Sequence, residues 1–220
     1  MTLSTDLDAY KAQFRTKAPA DVQAVMAQAT DDLAASGIID RSLKVGDTLP
    51  AIALPNATGG RVSVQAALAE GPVVIAFYRG GWCPYCNMEL HALQQVLPEI
   101  KAAGATLIAI SPETPDSSLS TREKNELTFE VLTDDKNAVA RELGLVFTLP
   151  EALRPIYSGF GIDIPAYNGD ESFELPVPAT YVVAPNGEIV YAFADADYTQ
   201  RAEPADVVAA LKQLTISSGV

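Results

Sequence analysis

The chain of 220 residues holds only two cysteines, one histidine and one tryptophan. Two cysteines are too few for the disulfide framework of a small secreted scaffold. A tetrahedral zinc site built from Cys and His within one chain is also excluded, because it needs four ligands and only three such residues exist. Covalent haem attachment would require a histidine directly after the second cysteine, and Asn87 stands there instead.

Basic residues and long apolar runs are scarce as well. The chain has 15 basic and 28 acidic residues and a net charge of -13, which would repel a phosphate backbone or an anionic bilayer. Apolar stretches such as residues 73–77 are far shorter than the ~20 residues of a membrane helix, and no secretory apolar core precedes them. We therefore expect a cytoplasmic globular protein that binds neither nucleic acid nor membrane.

The order of apolar patterns along the chain predicts an α/β fold. The continuously apolar, β-branched residues 73–78 predict a central strand that is covered on both faces. A helix then follows up to Gly104, and a strand over residues 105–110 completes a parallel pair. The remaining predicted elements are two helices before Gly37 with a break near Pro19, a hairpin over residues 51–64, helices at 117–125 and 136–143, a strand at 129–132, a hairpin at 179–194, and a helix from Pro204.

Residues 147–176 interrupt this alternation with aromatic residues placed among several glycines and prolines. The segment is too irregular for one element and too aromatic for a flexible linker. We expect a packed insertion that serves as a lid or an oligomer contact, and a homodimer is compatible with it. The chain is thus divided into an N-terminal helical extension (1–43) and a main domain (44–220) that carries the insertion.

The two cysteines stand together as Cys83 and Cys86, where the central strand turns into a helix. Pro84 suits the first helical turn, so Cys83 lies at the helix N-terminus. Unpaired backbone donors and the helix dipole favour an anion there and lower a thiol pKa from about 8.5 toward neutrality. We predict that Cys83 is the nucleophile and that Cys86, one turn later on the same face, is the resolving thiol.

Bland interpretations of these residues remain beside the chemical one. The two cysteines could be buried small hydrophobes. His91, five residues beyond Cys86, is expected to be an ordinary surface residue of the helix, and no role is assigned to it. Trp82 could fill the core or shield the thiolate of Cys83. No metal, nucleotide or flavin motif is present, so no cofactor is predicted.

Several segments together resemble the peroxiredoxin (alkyl hydroperoxide reductase and thiol-specific antioxidant) family on a thioredoxin-like fold, a mixed sheet flanked by helices. The resemblance covers residues 44–214. Residues 77–86, Phe-Tyr-Arg-Gly-Gly-Trp-Cys-Pro-Tyr-Cys, are similar to the branch that carries a thioredoxin-style Cys-x-x-Cys. The resemblance implies that Cys83 is the peroxidatic cysteine and that Pro178 is the cis-proline held against it. The segments that carry it are Val45-Gly46-Asp47 with Pro50, the hairpin, the apolar strand, the cysteine-bearing turn, and Ala179-Thr180-Tyr181-Val182-Val183 with Asn186-Gly187.

The chain departs from the family where a peroxide would be oriented. The family pattern Pro-x-x-x-Thr-x-x-Cys, counted back from Cys83, meets Gly80 in place of threonine and Ala76 in place of proline. Counted back from Cys86, the pattern meets Cys83 in place of threonine and Arg79 in place of proline. The late arginine of the family is missing as well, because Pro178 stands where it is expected. Candidates for the missing cation are Arg79 and Arg201. An active-site position and a surface salt bridge are both open for Arg79, whereas Arg201 is expected to be a solvated loop charge. The candidates for the substrate pocket are Trp82, Tyr85, Gly80 and Arg201.

Three functions fit these residues. The leading hypothesis is a thiol peroxidase, in which Cys83 becomes a sulfenic acid, Cys86 condenses with it, and a thioredoxin- or glutaredoxin-type dithiol reduces the disulfide. The second is a thiol-disulfide oxidoreductase acting through a mixed disulfide. The third is a non-catalytic thioredoxin-fold protein that binds a partner, against which the intact cysteine pair argues.

Overall fold

A computed structural model describes residues 2–217 of the chain. Its centre is a five-stranded mixed sheet with the spatial order β5-β4-β3-β8-β9. The pairs β3–β4 and β4–β5 are parallel, whereas β3–β8 and β8–β9 are antiparallel. The predicted central strand and the parallel pair are therefore confirmed. The strands of this sheet are β3 (Val73–Phe77), β4 (Thr106–Ser111), β5 (Glu130–Thr133), β8 (Ala179–Val183) and β9 (Ile189–Ala194).

Two short antiparallel hairpins stand outside the central sheet. The first is the predicted entry hairpin, β1 (Ala53–Pro55) with β2 (Arg61–Ser63). The second, β6 (Val146–Thr148) with β7 (Glu174–Pro176), closes the base of the aromatic insertion. This second hairpin brings the two ends of the insertion together, so the residues between them form one compact unit.

The central strand shows how the sheet divides the core. All of its residues are buried, and successive side chains point to opposite faces. Val74 and Ala76 join a cluster with helices α1, α5 and α10 on one face, whereas Ile75 and Phe77 join a cluster with α4 and α7 on the other. The helices are α1 (Leu3–Lys17), α2 (Ala20–Ala35), α3 (Ile38–Arg41), α4 (Val64–Glu70), α5 (Pro84–Ala102), α6 (Pro115–Lys124), α7 (Ala138–Glu142), α8 (Arg154–Gly159), α9 (Ile164–Asn168) and α10 (Pro204–Ser217). None of the helices in the described part of the chain is both long and apolar enough to cross a membrane.

The insertion has a small core of its own, which packs on helix α2. Leu149, Leu153 and Tyr157 are buried in a third cluster, and Met26 and Ala29 of α2 pack against it. Helix α2 therefore contacts this third cluster, and Leu33 near its end packs against the cluster that contains Ile75 and Phe77.

Two short helices depart from the sequence prediction. Val64 was expected to end a strand, but it begins α4, because the Ser63 hydroxyl accepts the Ala66 N–H and caps a helix there. The second is α3, which follows directly after Gly37, where the chain was expected to leave helix. Gly37 has a φ of 70°, a left-handed conformation that ends α2 and redirects the chain into one more turn.

The docking of α1 on the core gives the first testable prediction. Leu7 is 3% exposed and packs in the cluster that contains α5 and α10. The substitution Leu7→Ala is expected to lower the free energy of unfolding by about 2–5 kcal/mol, because it removes buried methyl groups and leaves a cavity. Urea unfolding measures this loss. Val45→Ala, at a side chain 61% exposed, is the control and should shift the midpoint little.

Candidate active site

Cys83 is the N-cap residue of α5, with Pro84 in the first helical turn. Its backbone N–H donates to the Gly80 carbonyl at 3.0 Å and its carbonyl accepts the Asn87 N–H at 3.1 Å. The side chain is only 2% exposed, and Cys86 is fully buried. Both are free thiols. The predicted position of Cys83 at a helix N-terminus is confirmed.

The turn that precedes Cys83 is hydrogen-bonded to Glu113, a fully buried residue that follows β4. One carboxylate oxygen accepts the Gly81 N–H at 2.8 Å, and the other accepts the hydroxyls of Tyr78 at 3.2 Å and Thr121 at 3.1 Å. Three donors thus satisfy the buried carboxylate.

Both glycines of this turn are required by close contacts. A Cβ on Gly81 would lie 2.0 Å from the Thr121 hydroxyl oxygen, and one on Gly80 would lie 2.2 Å from the indole nitrogen of Trp82. Gly80, a pocket candidate from the sequence, therefore shapes the backbone under Trp82 and contributes no functional side chain.

The two thiols have opposite acidities. Burial alone would raise the pKa of Cys83, but the hydrogen bond from the Cys86 thiol, the charges of Arg79 and Arg201 and the Cys86 backbone N–H lower it to about 6. Burial raises the pKa of Cys86 well above its usual value, and the neighbouring Cys83 raises it further. Near neutral pH the pair therefore holds its negative charge on Cys83.

Arg79, at the end of the central strand, is 2% exposed. Its guanidinium donates to the Tyr157 hydroxyl, and its central carbon lies 5.0 Å from the ring centroid of Trp82 and 4.4 Å from that of Tyr198. Within residues 2–217 it has no carboxylate partner. The surface salt bridge that the sequence left open for Arg79 is wrong.

Arg201 is 6% exposed, so the expectation of a solvated loop charge is wrong as well. Its Nε donates to Glu89 Oε2 at 2.6 Å, and an Nη donates to the Cys86 sulfur at 3.4 Å. Thr180 donates to the other oxygen of Glu89 at 3.1 Å. Burial raises the pKa of Glu89 to about 7, although Arg201 and Thr180 favour its ionised form. Charge periodicity along a loop cannot reveal this burial, because Glu89 lies more than 100 positions away on α5.

The peptide bond before Pro178 differs from the prediction. Within the described residues no peptide bond is cis, so the predicted cis bond before Pro178 is wrong. Pro178 is buried just before β8 and lines a cavity together with Arg79, but it does not line the cavity that contains Cys83. A β-branched strand start does not specify the isomer of the preceding peptide bond.

A cavity of about 310 Å³ reaches the Cys83 sulfur. Among the described residues of its lining, Arg79 is the one basic residue, and the residues other than Arg79 and Cys83 are mainly aromatic. Tyr10 meets Tyr85 edge to face at 5.2 Å, and Phe14 meets Phe160 in the same way at 6.0 Å. The pocket candidates Trp82 and Tyr85 line this cavity together with Cys83, whereas the candidate Arg201 does not. The lining residues are Tyr10, Phe14, Met26, Arg79, Trp82, Cys83, Pro84, Tyr85, Tyr157, Phe160, Ile162 and Tyr198.

Four residues of this region were absent from the sequence prediction. Glu89 could have been found, because an acidic residue three positions after Cys86 interrupts the apolar face of a helix. Glu113, Tyr157 and Tyr198 carry no such signal, since tertiary contacts alone bring them to the turn. His91 is exposed on α5 and contacts Gln95, as expected for a surface residue.

The mixed sheet with its flanking helices and the cysteine pair at the start of α5 are typical of a thioredoxin-like fold. Residues 45–192 match the model of the AhpC/TSA family. The chain belongs to this family, and the resemblance inferred from its motifs is confirmed.

Individual relatives agree with this assignment. The chain is 29% identical to peroxiredoxin Bcp of Escherichia coli over 103 residues, which cover 47% of this chain and 65% of that protein. It is 28% identical to chloroplastic peroxiredoxin Q of Triticum aestivum over 174 residues, 77% of this chain and 80% of that one. Peroxidoxin BcpB of Mycobacterium tuberculosis superposes with a TM-score of 0.62 at 20% identity, over 78% of this chain and 98% of that chain.

The difference in acidity between the thiols can be measured directly. The rate of alkylation of Cys83 in the Cys86→Ser protein is expected to follow a pKa below that of an ordinary thiol, because the charges of Arg79 and Arg201 still favour the thiolate. Cys86 in the Cys83→Ser protein should react only at alkaline pH. If Cys86 is the faster and more acidic thiol, the two roles are reversed.

Proposed function

We propose that this chain is a thiol-dependent peroxidase that reduces hydrogen peroxide or organic hydroperoxides. The observation that carries the proposal is the position of the acidic Cys83 sulfur, 2% exposed at the end of an aromatic cavity of about 310 Å³. A small hydroperoxide fits such a cavity. A thiol-disulfide oxidoreductase must present its nucleophile to a folded protein disulfide in the reduced state, and Cys83 is buried in that state, which disfavours this alternative.

The first step is attack of the Cys83 thiolate on the terminal peroxide oxygen. The S–O bond forms as the O–O bond breaks, Cys83 is oxidised to a sulfenic acid, and the leaving oxygen departs as an alcohol or water after taking up a proton. Arg79 contributes a positive charge beside the sulfur, where negative charge moves from sulfur to the leaving oxygen. Arg79 would therefore orient the peroxide and stabilise the developing charge in place of the family threonine and late arginine, which this chain lacks.

The second step is resolution by Cys86. Its thiol loses a proton, its sulfur displaces hydroxide from the sulfenic acid, and the products are the Cys83–Cys86 disulfide and water. Arg201 contacts the Cys86 sulfur and stabilises its thiolate, and Glu89 holds Arg201 in place. A thioredoxin- or glutaredoxin-type dithiol then reduces the disulfide, and a cytoplasmic location would keep the pair in reducing conditions.

The walls of the cavity come from outside the central sheet. Tyr10, Phe14 and Met26 belong to α1 and α2, within the proposed extension 1–43, and Tyr157 and Phe160 belong to the proposed insertion. We assign both segments a role in closing the substrate cavity of the main domain (44–220). Tyr85 and Trp82 complete the cavity from the cysteine side.

The cysteine variants test the reaction class. Peroxide consumption and reduction of a protein disulfide are measured side by side on purified protein. Cys83→Ser is expected to lose all peroxide turnover, whereas Cys86→Ser should consume about one equivalent of peroxide per chain and then stop as a sulfenic acid or mixed disulfide. Cys83-dependent reduction of a protein disulfide without peroxide consumption would establish the oxidoreductase alternative instead.

The role of Arg79 is tested by kinetics. Arg79→Ala should raise the pKa of Cys83 and slow peroxide reduction by roughly ten-fold or more, a loss of ~1.4 kcal/mol or greater in transition-state stabilisation. Arg61→Ala, at an exposed position of β2, is the control and should leave both quantities unchanged. Peroxide kinetics of Arg79→Ala equal to those of the unsubstituted protein would remove Arg79 from the mechanism.

A further inference from the structure

A second cavity, of about 220 Å³, lies beside Arg79 and contains neither cysteine. It is bounded by α2, by the insertion and by the residues that lead into β8. Its lining is largely apolar, and includes Ala29, Leu33, Phe147, Leu149, Leu153 and Val177. The peroxidase mechanism makes no use of this space.

Arg79 separates the two cavities. Together with Tyr157 and Tyr198 it lines both of them. The guanidinium is packed between these rings, 5.6 Å and 4.4 Å from their centroids, so it borders the second cavity as well as the thiol.

This guanidinium has unused hydrogen-bonding capacity. Its Nε has no partner among the described residues, and its hydrogen bond there goes to the Tyr157 hydroxyl. The other buried guanidinium of the site, that of Arg201, is paired with Glu89. A buried charge is costly unless it is paired, and the Cys83 thiolate is the only anion that the mechanism places near Arg79.

We propose that the second cavity binds a small monocarboxylate with an apolar aryl or short alkyl body, whose carboxylate binds Arg79. A planar guanidinium recognises carboxylate geometry through paired N–H donors, and the cavity walls match an apolar body. The volume suits a small ligand, because a cavity of about 150 Å³ is known to hold one benzene molecule.

The charges around the cavity are compatible with an anion. Its acidic lining residue, Asp32, is exposed on α2, and its Oδ1 accepts a hydrogen bond from Gln28 at 2.8 Å. Asp32 therefore lies on the solvent side, whereas Arg79 lies at the buried end. An amphipathic acid would place its charge inward, against the unpaired cation.

Such a ligand would weaken the interaction between Arg79 and the Cys83 thiolate. Thiolate and carboxylate would share one cation, so binding of either must weaken the other by the same factor. The carboxylate would act as an inhibitor that makes Cys83 less acidic. This consequence for turnover rests on the proposed peroxidase function, but binding itself does not.

The test uses benzoate as the probe and isothermal titration of the reduced, full-length protein without peroxide. Saturable one-to-one binding is expected. Benzyl alcohol, a neutral molecule of similar size, should bind at least ten-fold more weakly, and Arg79→Gln should weaken benzoate binding at least ten-fold. Because no peroxide is present, these results stand even if peroxide turnover fails.

A matched pair of variants on one helix locates the ligand. Ala29→Phe fills the second cavity and should abolish benzoate binding, whereas Ala24→Phe places the same ring on an exposed position of α2 and should leave it unchanged. This pair decides the outcome if Arg79→Gln fails to fold.

Alkylation of Cys83 tests whether benzoate and the thiolate share Arg79. Benzoate, but not benzyl alcohol, should slow alkylation of Cys83 at pH 7, and Cys83→Ser should bind benzoate more tightly than the unsubstituted protein. The proposal is overturned if benzoate shows no saturable binding, if Arg79→Gln binds it equally well, or if Ala29→Phe has no effect.

Discussion

The site depends on the carboxylate of Glu113, which fixes the turn between the central strand and α5. Its contacts with Gly81, Tyr78 and Thr121 join the strand, the turn and α6 at one buried point. The N-terminus of α5 can present Cys83 in a defined position only because this turn is rigid. The close approach of Thr121 leaves no space for a side chain on Gly81, whereas the glycine at position 80 is required by the contact with Trp82.

Two buried arginines, Arg79 and Arg201, act on the two thiols in different ways. Arg201 contacts the Cys86 sulfur and forms an ion pair with Glu89, so the carboxylate compensates most of its charge. Arg79 is surrounded by aromatic rings and has no carboxylate partner in the described chain. An uncompensated buried cation attracts an anion strongly because water does not screen it. The hydrogen bond from Cys86 is the largest of the interactions that lower the pKa of Cys83, and the charge of Arg79 adds to it. The proposed carboxylate site follows from this imbalance.

The segments outside the central sheet supply most of the walls of the cavity at the N-terminus of α5. Helix α1 contributes Tyr10 and Phe14, and the insertion contributes Tyr157 and Phe160. Edge-to-face contacts between these rings connect α1 both to α5 and to the insertion. Aromatic side chains bury a large area at little cost in conformational entropy, which suits walls that must remain closed around a small substrate.

The sequence alone determined the sheet, the helix that begins after Cys83, and the cysteine pair, because apolar periodicity, proline placement and cysteine spacing are local properties of the chain. It also determined the family, through motifs spread over residues 44–214. Only the tertiary structure decided that Arg201 is buried against Glu89 and Cys86, that the bond before Pro178 is trans, and that Tyr157 reaches Arg79. The burial of Arg201 and the position of Tyr157 depend on contacts between residues far apart in the chain, and neither periodicity nor motif spacing reports which distant residues meet. The isomer before Pro178 is not specified by the strand pattern that follows it.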